Sequence, residues 1–356
     1  MSLVRFLEAP QKILTIRKDF FVFTSILHKT LVLKTIDIST PIPELENYLS
    51  TNSWLNSGVR IVSIEQPGEG NMNVVVRVKT NERSFILKQS RPYVQKFQQI
   101  SAPLDRIAVE KNFYQVVREN AVSAHMPKVI GYDSVENLLL LEDLGHCKDM
   151  TIIYNNRAIV ASHLNRLVFI LGLIHRTEVN DNFPENLQMR FLNHKHIFVL
   201  PFSEDSEMNL DEIQEGLQEL SMAFKSSKTI KSVVDQIGEK YLSPGNTLIH
   251  GDYYPGSWMT EADNLYIIDP EFGFPGFPEF DLGVMAAHII MATGKKSYLN
   301  RIHSIYQGEA DKKLMGQVAG IEIARRIIGL AQLPMERTLK EKAKLLKKAR
   351  KLILAQ

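Results

Sequence analysis

Residues 247–271 read TLIHGDYYPGSWMTEADNLYIIDPE, and this stretch decides the fold. It contains two short apolar segments, and carboxylates follow each of them: Asp252 after the first, Asp269 and Glu271 after the second. Short apolar runs bounded by turn residues are typical of buried strands, so each carboxylate group is predicted to lie on a loop just past a strand. We expect the two strands to pair as a hairpin, which would bring the carboxylates together.

Phosphoryl transfer needs this division of labour between carboxylates. One accepts the proton of the attacking hydroxyl, while others hold Mg²⁺ against the nucleotide phosphates. Asp252 suits the base, and Asp269 and Glu271 suit the metal, because Mg²⁺ prefers oxygen ligands. His250 is interpreted as a support of the catalytic loop, since Asp252 is better matched to the acceptor. Two ordinary surface turns are the alternative, but the two groups in this order favour a kinase.

The chain before this stretch supplies matching parts. Gly68 and Gly70 fall in a turn between two predicted strands, and Asn71 begins the second of them. Backbone amides there could approach phosphates closely; a plain hairpin turn is the alternative. Lys88 lies in the third predicted strand, and Glu110 lies 22 residues later in a predicted helix. An ion pair between them would hold Lys88 toward the α- and β-phosphates. A solvent-facing lysine and an unrelated glutamate are the alternative.

Hydrophobic periodicity divides the chain into a small antiparallel β lobe and a larger, mainly helical lobe. The β lobe has predicted strands at 60–66, 71–80, 84–89, 128–132 and 138–142, and helices at 41–56 and 105–119. Helical patterns then dominate around 154–177, 208–240, 281–294, 311–332 and 336–353. We therefore predict an α+β fold with an unassigned extension (1–38), a nucleotide-binding lobe (39–144) and a catalytic, substrate-binding lobe (145–356), with a ligand cleft between the lobes.

The composition excludes several classes of protein. The 356 residues are 44% hydrophobic and 23% charged, as in ordinary soluble domains. Lys and Arg number 42 against 40 Asp and Glu, and a net charge of +2 does not indicate a nucleic-acid partner. The single cysteine, Cys147, excludes an intrachain disulfide and favours a cytoplasmic location. No charge-free apolar run reaches the ~18 residues of a membrane span, so no membrane partner is expected.

The last predicted helix is strongly basic. Its cations are Lys340, Lys342, Lys344, Lys347, Lys348, Arg350 and Lys351. Leucines recur among them at helical spacing, which favours a solvated amphipathic helix, and binding to a membrane surface or nucleic acid is the alternative.

The order of these motifs resembles the aminoglycoside phosphotransferase and choline kinase superfamily, whose members have a protein-kinase-like fold. Within it the sequence is most similar to the methylthioribose kinases, over about residues 40–335. The likeness is carried by Leu87-Lys88-Gln89 with Pro92-Tyr93-Val94, Pro103-Leu104-Asp105-Arg106, Glu142-Asp143-Leu144, His250-Gly251-Asp252 with Gly256-Ser257, Asp269-Pro270-Glu271-Phe272, and Arg325-Arg326 with Gly329-Leu330. It implies ATP and Mg²⁺ as cofactors and methylthioribose, phosphorylated at its anomeric hydroxyl, as the acceptor.

The resemblance also implies roles at both ends of the cleft. Glu142 and Leu144 are similar to the lobe connection whose backbone hydrogen-bonds to adenine. Arg325 and Arg326 are similar to a twin-arginine pair that contacts the acceptor hydroxyls or the phosphoryl group in transfer. A basic pair at a helix surface, paired with acids such as Glu322, is the alternative.

Further residues of the catalytic loop follow from the same resemblance. Asp281 would brace the loop by accepting backbone hydrogen bonds, and His250 and Ser257 would support it. The chain departs from the family at Tyr253-Tyr254-Pro255, where Leu-His-Thr is usual, and this change puts the sugar specificity in doubt. The resemblance leaves a homodimer open, although the sequence has no interface signature.

Besides a binding role of the basic helix, two other functions stay open on the sequence. A kinase of the same superfamily with another acceptor is the nearest alternative. An aminoglycoside is a polycation that would need an acidic pocket, and the arginine pair disfavours this substrate. Choline would need an aromatic cage, for which Tyr253, Tyr254 and Trp258 are candidates. A catalytically silent nucleotide-binding regulator is less favoured, because such a protein need not retain the lysine and all three carboxylates.

Overall fold

The structure, a computed structural model, describes residues 35–68, 72–118, 120–179, 183–204 and 209–355. Of the predicted extension 1–38, only the last four residues are among them. The described chain forms a small β lobe followed by a larger helical lobe, as the α+β prediction requires. Within these ranges, no helix is both long enough and apolar enough to cross a membrane.

The β lobe is built on a five-stranded antiparallel sheet in the order β1-β2-β3-β7-β6. Its strands are β1 (Ile61–Glu65), β2 (Val74–Thr80), β3 (Ser84–Gln89), β6 (Val129–Asp133) and β7 (Leu138–Glu142), and a separate hairpin is formed by β4 (Tyr93–Val94) and β5 (Phe97–Ser101). The helices are α1 (Ile42–Thr51) and α2 (Arg106–Val116). Val76 and Val78 alternate with more exposed neighbours on β2 and pack with Leu45 and Leu49 of α1, as period-two alternation predicts.

The helical lobe contains nine helices and five short strands among its described residues. The helices are α3 (Ile153–Asn156), α4 (Ala161–His175), α5 (Leu187–His194), α6 (Leu217–Lys225), α7 (Lys228–Leu242), α8 (Pro278–Thr293), α9 (Ser297–Ile305), α10 (Lys312–Ile328) and α11 (Leu339–Ile353). The strands are β8 (Lys148–Asp149), β9 (Thr247–Ile249), β10 (Trp258–Glu261), β11 (Asn264–Ile267) and β12 (Phe274–Gly276). The helical pattern at 208–240 is divided, because the Ser227 side chain accepts from Ile230 N and begins a new helix, α7.

The expected hairpin between the two strands of the deciding stretch is wrong. β9 pairs with β12, and β11 pairs with β10. The reason lies in two compact turns. The backbone of 252–257 turns tightly, with Ser257 N donating to Tyr254 O at 2.8 Å, and β10 begins directly afterwards. A single 3₁₀ turn, Pro270–Phe272, then reverses the chain and brings β12 alongside β9. The two carboxylate loops still meet, because the His250 Nε2 lies 2.9 Å from Ile268 O.

The basic helix α11 has the predicted amphipathic form. Leu345, Leu346, Ala349, Leu352 and Ile353 are buried against the rest of the lobe, and most of its cations are exposed. Its backbone approaches α10 closely, since a Cβ on Gly320 would lie 2.7 Å from Ala349 O. This packing buries the apolar face of α11 within the fold.

Candidate active site

Two adjoining cavities lie where the lobes meet. The larger, of about 570 Å³, is lined by Lys88 from β3 and by Asp252, Ser257, Asp269 and Glu271 from the helical lobe. The smaller, of about 240 Å³, shares Asp252 with it and reaches the arginine pair on α10. The predicted lysine, base and metal carboxylates are therefore brought to one place.

The wall of the larger cavity is held by ion pairs that cross between the lobes. Lys88 Nζ lies 2.7 Å from both carboxylate oxygens of Glu110 and 2.7 Å from Asp269 Oδ1. Burial alone would lower the pKa of Lys88, but Asp269, Glu110 and Glu271 outweigh it and raise that pKa. The lysine is therefore an ammonium ion held by one carboxylate from each lobe.

Asn73 also lines this cavity and Arg106 lies behind it, and neither had a role expected from the sequence. Arg106 is fully buried, and its Nε donates to Asn73 Oδ1 at 2.8 Å and lies 3.4 Å from Glu271 Oε2. Asn73 Nδ2 donates to the same Glu271 oxygen at 2.9 Å. Arg106 belongs to a stretch that carries the family resemblance, which was the one available signal.

We call Lys88, Arg106, Glu110, Asp269 and Glu271 the interlobe cluster, and it sets two cations against three carboxylates. Asp269 is the most accessible member, with its side chain 46% exposed. Glu271 also lines the cavity but is nearly buried. Hard oxygen donors beside an excess of one negative charge fit Mg²⁺, and Asp269 and Glu271 are the residues that would hold it.

The loop that carries Asp252 is fixed by buried hydrogen bonds. Asp281 accepts from His250 N at 2.6 Å and from Gly251 N at 2.9 Å. Gly251 has φ +81°, and a Cβ there would lie 2.2 Å from Phe272 O, so only glycine fits. Ser257 Oγ donates to Asp252 O at 3.0 Å. Burial lowers the pKa of His250, which suits a neutral support rather than a charged group.

The smaller cavity has a charged end and an apolar wall. Arg326 Nη2 lies 3.4 Å from Asp252 Oδ1, and Arg325 Nη2 lies 4.0 Å from the same atom. Burial raises the pKa of Asp252, while Arg326 and Arg325 act in the opposite direction. The apolar wall consists of Val94, Phe97 and Ile100 from the β4–β5 hairpin with Leu192, Phe272 and Leu330. This wall could not be predicted from the sequence, because its parts are far apart in the chain.

Both arginines are bound to Glu322, the acid suggested as their partner at a helix surface. The Nε of Arg325 donates to Glu322 Oε2, and the Nε of Arg326 donates to Glu322 Oε1 at 2.8 Å. None of the three is at the surface, since Arg325 and Arg326 are each 8% exposed and Glu322 is 1% exposed. We call Asp252, Glu322, Arg325 and Arg326 the helical-lobe cluster, in which two carboxylates balance two cations.

Other predicted nucleotide-binding residues are not brought to these cavities. Gly68 is exposed and lines neither cavity, and Gly70 and Asn71 lie outside the described residues. Glu142 and Leu144 also line neither cavity, and Glu142 N donates to Lys128 O at 2.9 Å.

Asp143, which lies between Glu142 and Leu144, is held by side-chain hydrogen bonds from the β sheet. Asp143 accepts from Arg77 Nε at 2.8 Å and from Arg77 Nη2 at 3.0 Å, and it also accepts from Ser84 Oγ at 2.6 Å. The start of the lobe connection is thereby fixed to β2 and β3.

The sequence profile of the phosphotransferase enzyme family matches residues 63–315. Among curated relatives, the methylthioribose kinase of Exiguobacterium sibiricum is 28% identical over 247 residues, which cover 65% of this chain and 61% of the relative. That of Bacillus cereus is 27% identical over 257 residues, which cover 68% of this chain and 64% of the relative. The matched part thus spans less than two thirds of the length of these relatives. The resemblance read from the sequence is confirmed.

Solved structures with the same fold are also phosphotransferases. A spectinomycin phosphotransferase in complex with ADP and spectinomycin aligns with TM-score 0.55 at 14% identity, over 89% of this chain and 98% of that chain. The choline kinase LicA from Streptococcus pneumoniae aligns with TM-score 0.50 at 14% identity, over 88% of this chain and 99% of that chain. At this identity the likeness concerns the fold, and it confirms the predicted two-lobed kinase-like architecture.

Proposed function

The chain belongs to the phosphotransferase enzyme family, and on that premise we propose that it is a small-molecule kinase that transfers the γ-phosphoryl group of ATP to methylthioribose. The acceptor atom is the anomeric hydroxyl oxygen, so the product is the 1-phosphate. One observation carries the proposal: Asp252 lies in the wall of both cavities, between the interlobe cluster and the arginine pair. A base at that junction reaches an acceptor on one side and a phosphate on the other.

In the proposed reaction the acceptor hydroxyl lies in the smaller cavity. Asp252 orients this hydroxyl and takes its proton as the oxygen attacks the γ-phosphorus. The new P–O bond forms while the bond to the β–γ bridging oxygen breaks, and ADP leaves with the electron pair. The raised pKa of Asp252, caused by burial, makes its carboxylate a better proton acceptor than an exposed aspartate.

The interlobe cluster serves the nucleotide. Lys88, fixed by Glu110, neutralises charge on the α- and β-phosphates. Asp269 and Glu271 would hold Mg²⁺, which would supply positive charge beside the nucleotide phosphates. Arg106 and Asn73 hold the Glu271 carboxylate in place from the β lobe.

The acceptor end disfavours the rival substrates. An aminoglycoside would bring several positive charges beside two guanidinium groups, whose charge is balanced only by Asp252 and Glu322. Choline would need free aromatic faces, but the Arg326 guanidinium already lies 5.0 Å from the ring centre of Tyr254. Tyr253 and Trp258 are both fully buried. An uncharged polyol that accepts hydrogen bonds from arginine fits better, and the relatives named methylthioribose kinase support that choice.

The test is ADP release from Mg-ATP by purified protein, offered methylthioribose beside ribose, choline and kanamycin. We expect turnover with methylthioribose and little with the other three. Activity on another acceptor alone would support the kinase activity but show that the substrate is that compound and not methylthioribose. Nucleotide binding without transfer to any acceptor would favour the silent regulator instead.

A further inference from the structure

Glu322 is a buried carboxylate that the proposed reaction does not use directly. It lies on α10, about one helical turn before the arginine pair, and it is 1% exposed. One of its oxygens accepts from the Nε of Arg325, and the other accepts from the Nε of Arg326. A single carboxylate therefore holds both guanidinium groups by the same edge.

This contact decides which nitrogens of the arginines face the cleft. A guanidinium is a rigid planar fork, so fixing its Nε edge also fixes the direction of its terminal nitrogens. Those nitrogens lie 3.4 Å (Arg326) and 4.0 Å (Arg325) from Asp252 Oδ1. Neighbouring residues on a helix project about 100° apart, so the two side chains need a common anchor to converge on one atom.

His288 on α8 holds Glu322 from the other side. Its Nε2 lies 2.9 Å from Glu322 Oε1, and its Nδ1 lies 2.6 Å from the hydroxyl of Tyr154. Burial lowers the pKa of His288 to about 4, so the ring is neutral. Although burial opposes ionisation of Glu322, Arg325 and Arg326 hold its pKa well below the usual range. An ionised carboxylate can only accept, so Nε2 donates to Glu322 and Nδ1 accepts from Tyr154.

The hydrogen bonds thus form a directed chain, in which each group has one orientation that satisfies it. Tyr154 donates to His288, His288 donates to Glu322, and Glu322 accepts from the arginines. Tyr254 adds a stacking constraint, because its ring centre lies 5.2 Å from that of His288 and 5.0 Å from the Arg326 guanidinium carbon. These hydrogen bonds therefore connect α3, α8 and α10 to Asp252, the carboxylate that faces the acceptor.

We infer that Glu322 is a positioning residue of the acceptor site. It sets the orientation of the two arginines that face Asp252, and His288 holds it in place. The inference rests on the proposed function, because it concerns how the acceptor is bound for that transfer. The interlobe cluster shares no residue with these hydrogen-bonded groups. Arg325 lines only the smaller of the two cavities and Arg326 lines both, so we expect the effect chiefly on the acceptor.

The test is Glu322→Gln, which keeps the size of the side chain but removes its charge and one acceptor oxygen. We expect kcat/KM for the acceptor to fall about 10- to 100-fold, chiefly through KM, which is the range for losing one charge-assisted hydrogen bond. KM for ATP should stay within about twofold of wild type. Glu322→Asp keeps the charge and should restore part of the loss. Glu341→Gln is the control, because Glu341 pairs with the exposed Arg157.

The outcomes separate this inference from the proposed function. Wild-type turnover together with an unchanged acceptor KM in Glu322→Gln would overturn the positioning role alone. A rise in KM for ATP as large as the rise for the acceptor would also overturn it, because a general loss of structure affects both. If Glu322→Gln does not fold, His288→Gln must raise the acceptor KM selectively or the role is wrong. No turnover by the wild-type protein would overturn the proposed function, and the role of Glu322 with it.

Discussion

The interlobe cluster and the helical-lobe cluster are both buried groups of charges, but they are balanced differently. The interlobe cluster has one carboxylate more than its cations and takes Lys88, Glu110 and Arg106 from one lobe and Asp269 and Glu271 from the other. The helical-lobe cluster is neutral, and all its members come from one lobe. The first therefore suits a divalent cation and depends on how the lobes close. The second is complete within its lobe and offers the arginine nitrogens to an uncharged acceptor.

The largest effect is expected at Asp252, where the two cavities meet. Asp252→Ala should reduce kcat about a thousandfold, within the range for loss of a general base, because Asp252 is the one carboxylate among the described residues that line the smaller cavity. Mg-ATP should still bind with nearly wild-type affinity, since the interlobe cluster is intact. Steady-state kinetics and calorimetric titration with a non-hydrolysable ATP analogue measure the two quantities.

Asp263→Ala serves as the control for this substitution, since Asp263 is an exposed aspartate in the turn between β10 and β11. Near-normal turnover by Asp252→Ala would show that Asp252 is not the general base. The two clusters would then have no shared reacting group between them.

The second effect tests the unbalanced charge of the interlobe cluster. Asp269→Asn removes its most exposed carboxylate and makes the cluster neutral, so kcat should fall about 100-fold and more Mg²⁺ should be needed for half-maximal activity. Acceptor binding should be unchanged. Activity measured across a Mg²⁺ titration, for this variant and for Asp263→Asn, decides the point. An unchanged Mg²⁺ requirement would mean that the extra negative charge does not serve a cation.

The sequence selected most members of each cluster. Asp252, Asp269 and Glu271 lie within one stretch, and Lys88 lies in the third predicted strand. These residues are placed by elements that form from nearby sequence, so type and spacing were enough to select them.

The role of Arg106 and the contacts between these residues depend on packing that no spacing encodes. Glu271 meets Asn73 across 198 residues, and Glu322 meets His288 only because α8 packs on α10. The pairing of β9 with β12 was missed for a related reason, since it follows from the 3₁₀ turn at Pro270–Phe272. Apolar runs predict that strands exist, but partner choice is set by the turns between them.

The third effect is a pH dependence that His288 gives to the helical-lobe cluster. His288 contacts Glu322 of this cluster through its Nε2. Burial lowers the pKa of His288 to about 4 from 6.5 in the unfolded chain. Between those values the unfolded chain binds more protons, so folding stability falls as the pH decreases through this window. From pH 7 to pH 5 this residue alone should cost about 2 kcal/mol of unfolding free energy.

Urea denaturation at the two pH values, for the wild type and for His288→Gln, measures this contribution. The other histidines titrate in both proteins, so the difference between the two losses belongs to His288. The variant should lose about 2 kcal/mol less than the wild type over this range. Equal losses would mean that His288 titrates normally, and the directed chain of hydrogen bonds could not be maintained.

The smallest effect is expected from a substitution outside both clusters, at Asp143 in the lobe connection. Asp143→Asn weakens the two-nitrogen contact from Arg77 and should raise KM for ATP about three- to tenfold, because the backbone that would bind adenine loses its anchor to the β sheet. KM for the acceptor should not change, since neither cluster is touched. Glu65→Gln is a matched control on the same sheet: its pair with Lys79 is exposed, and such pairs contribute little. Equal shifts in both KM values would mean that the connection acts on the whole cleft, and the two clusters would no longer be independent.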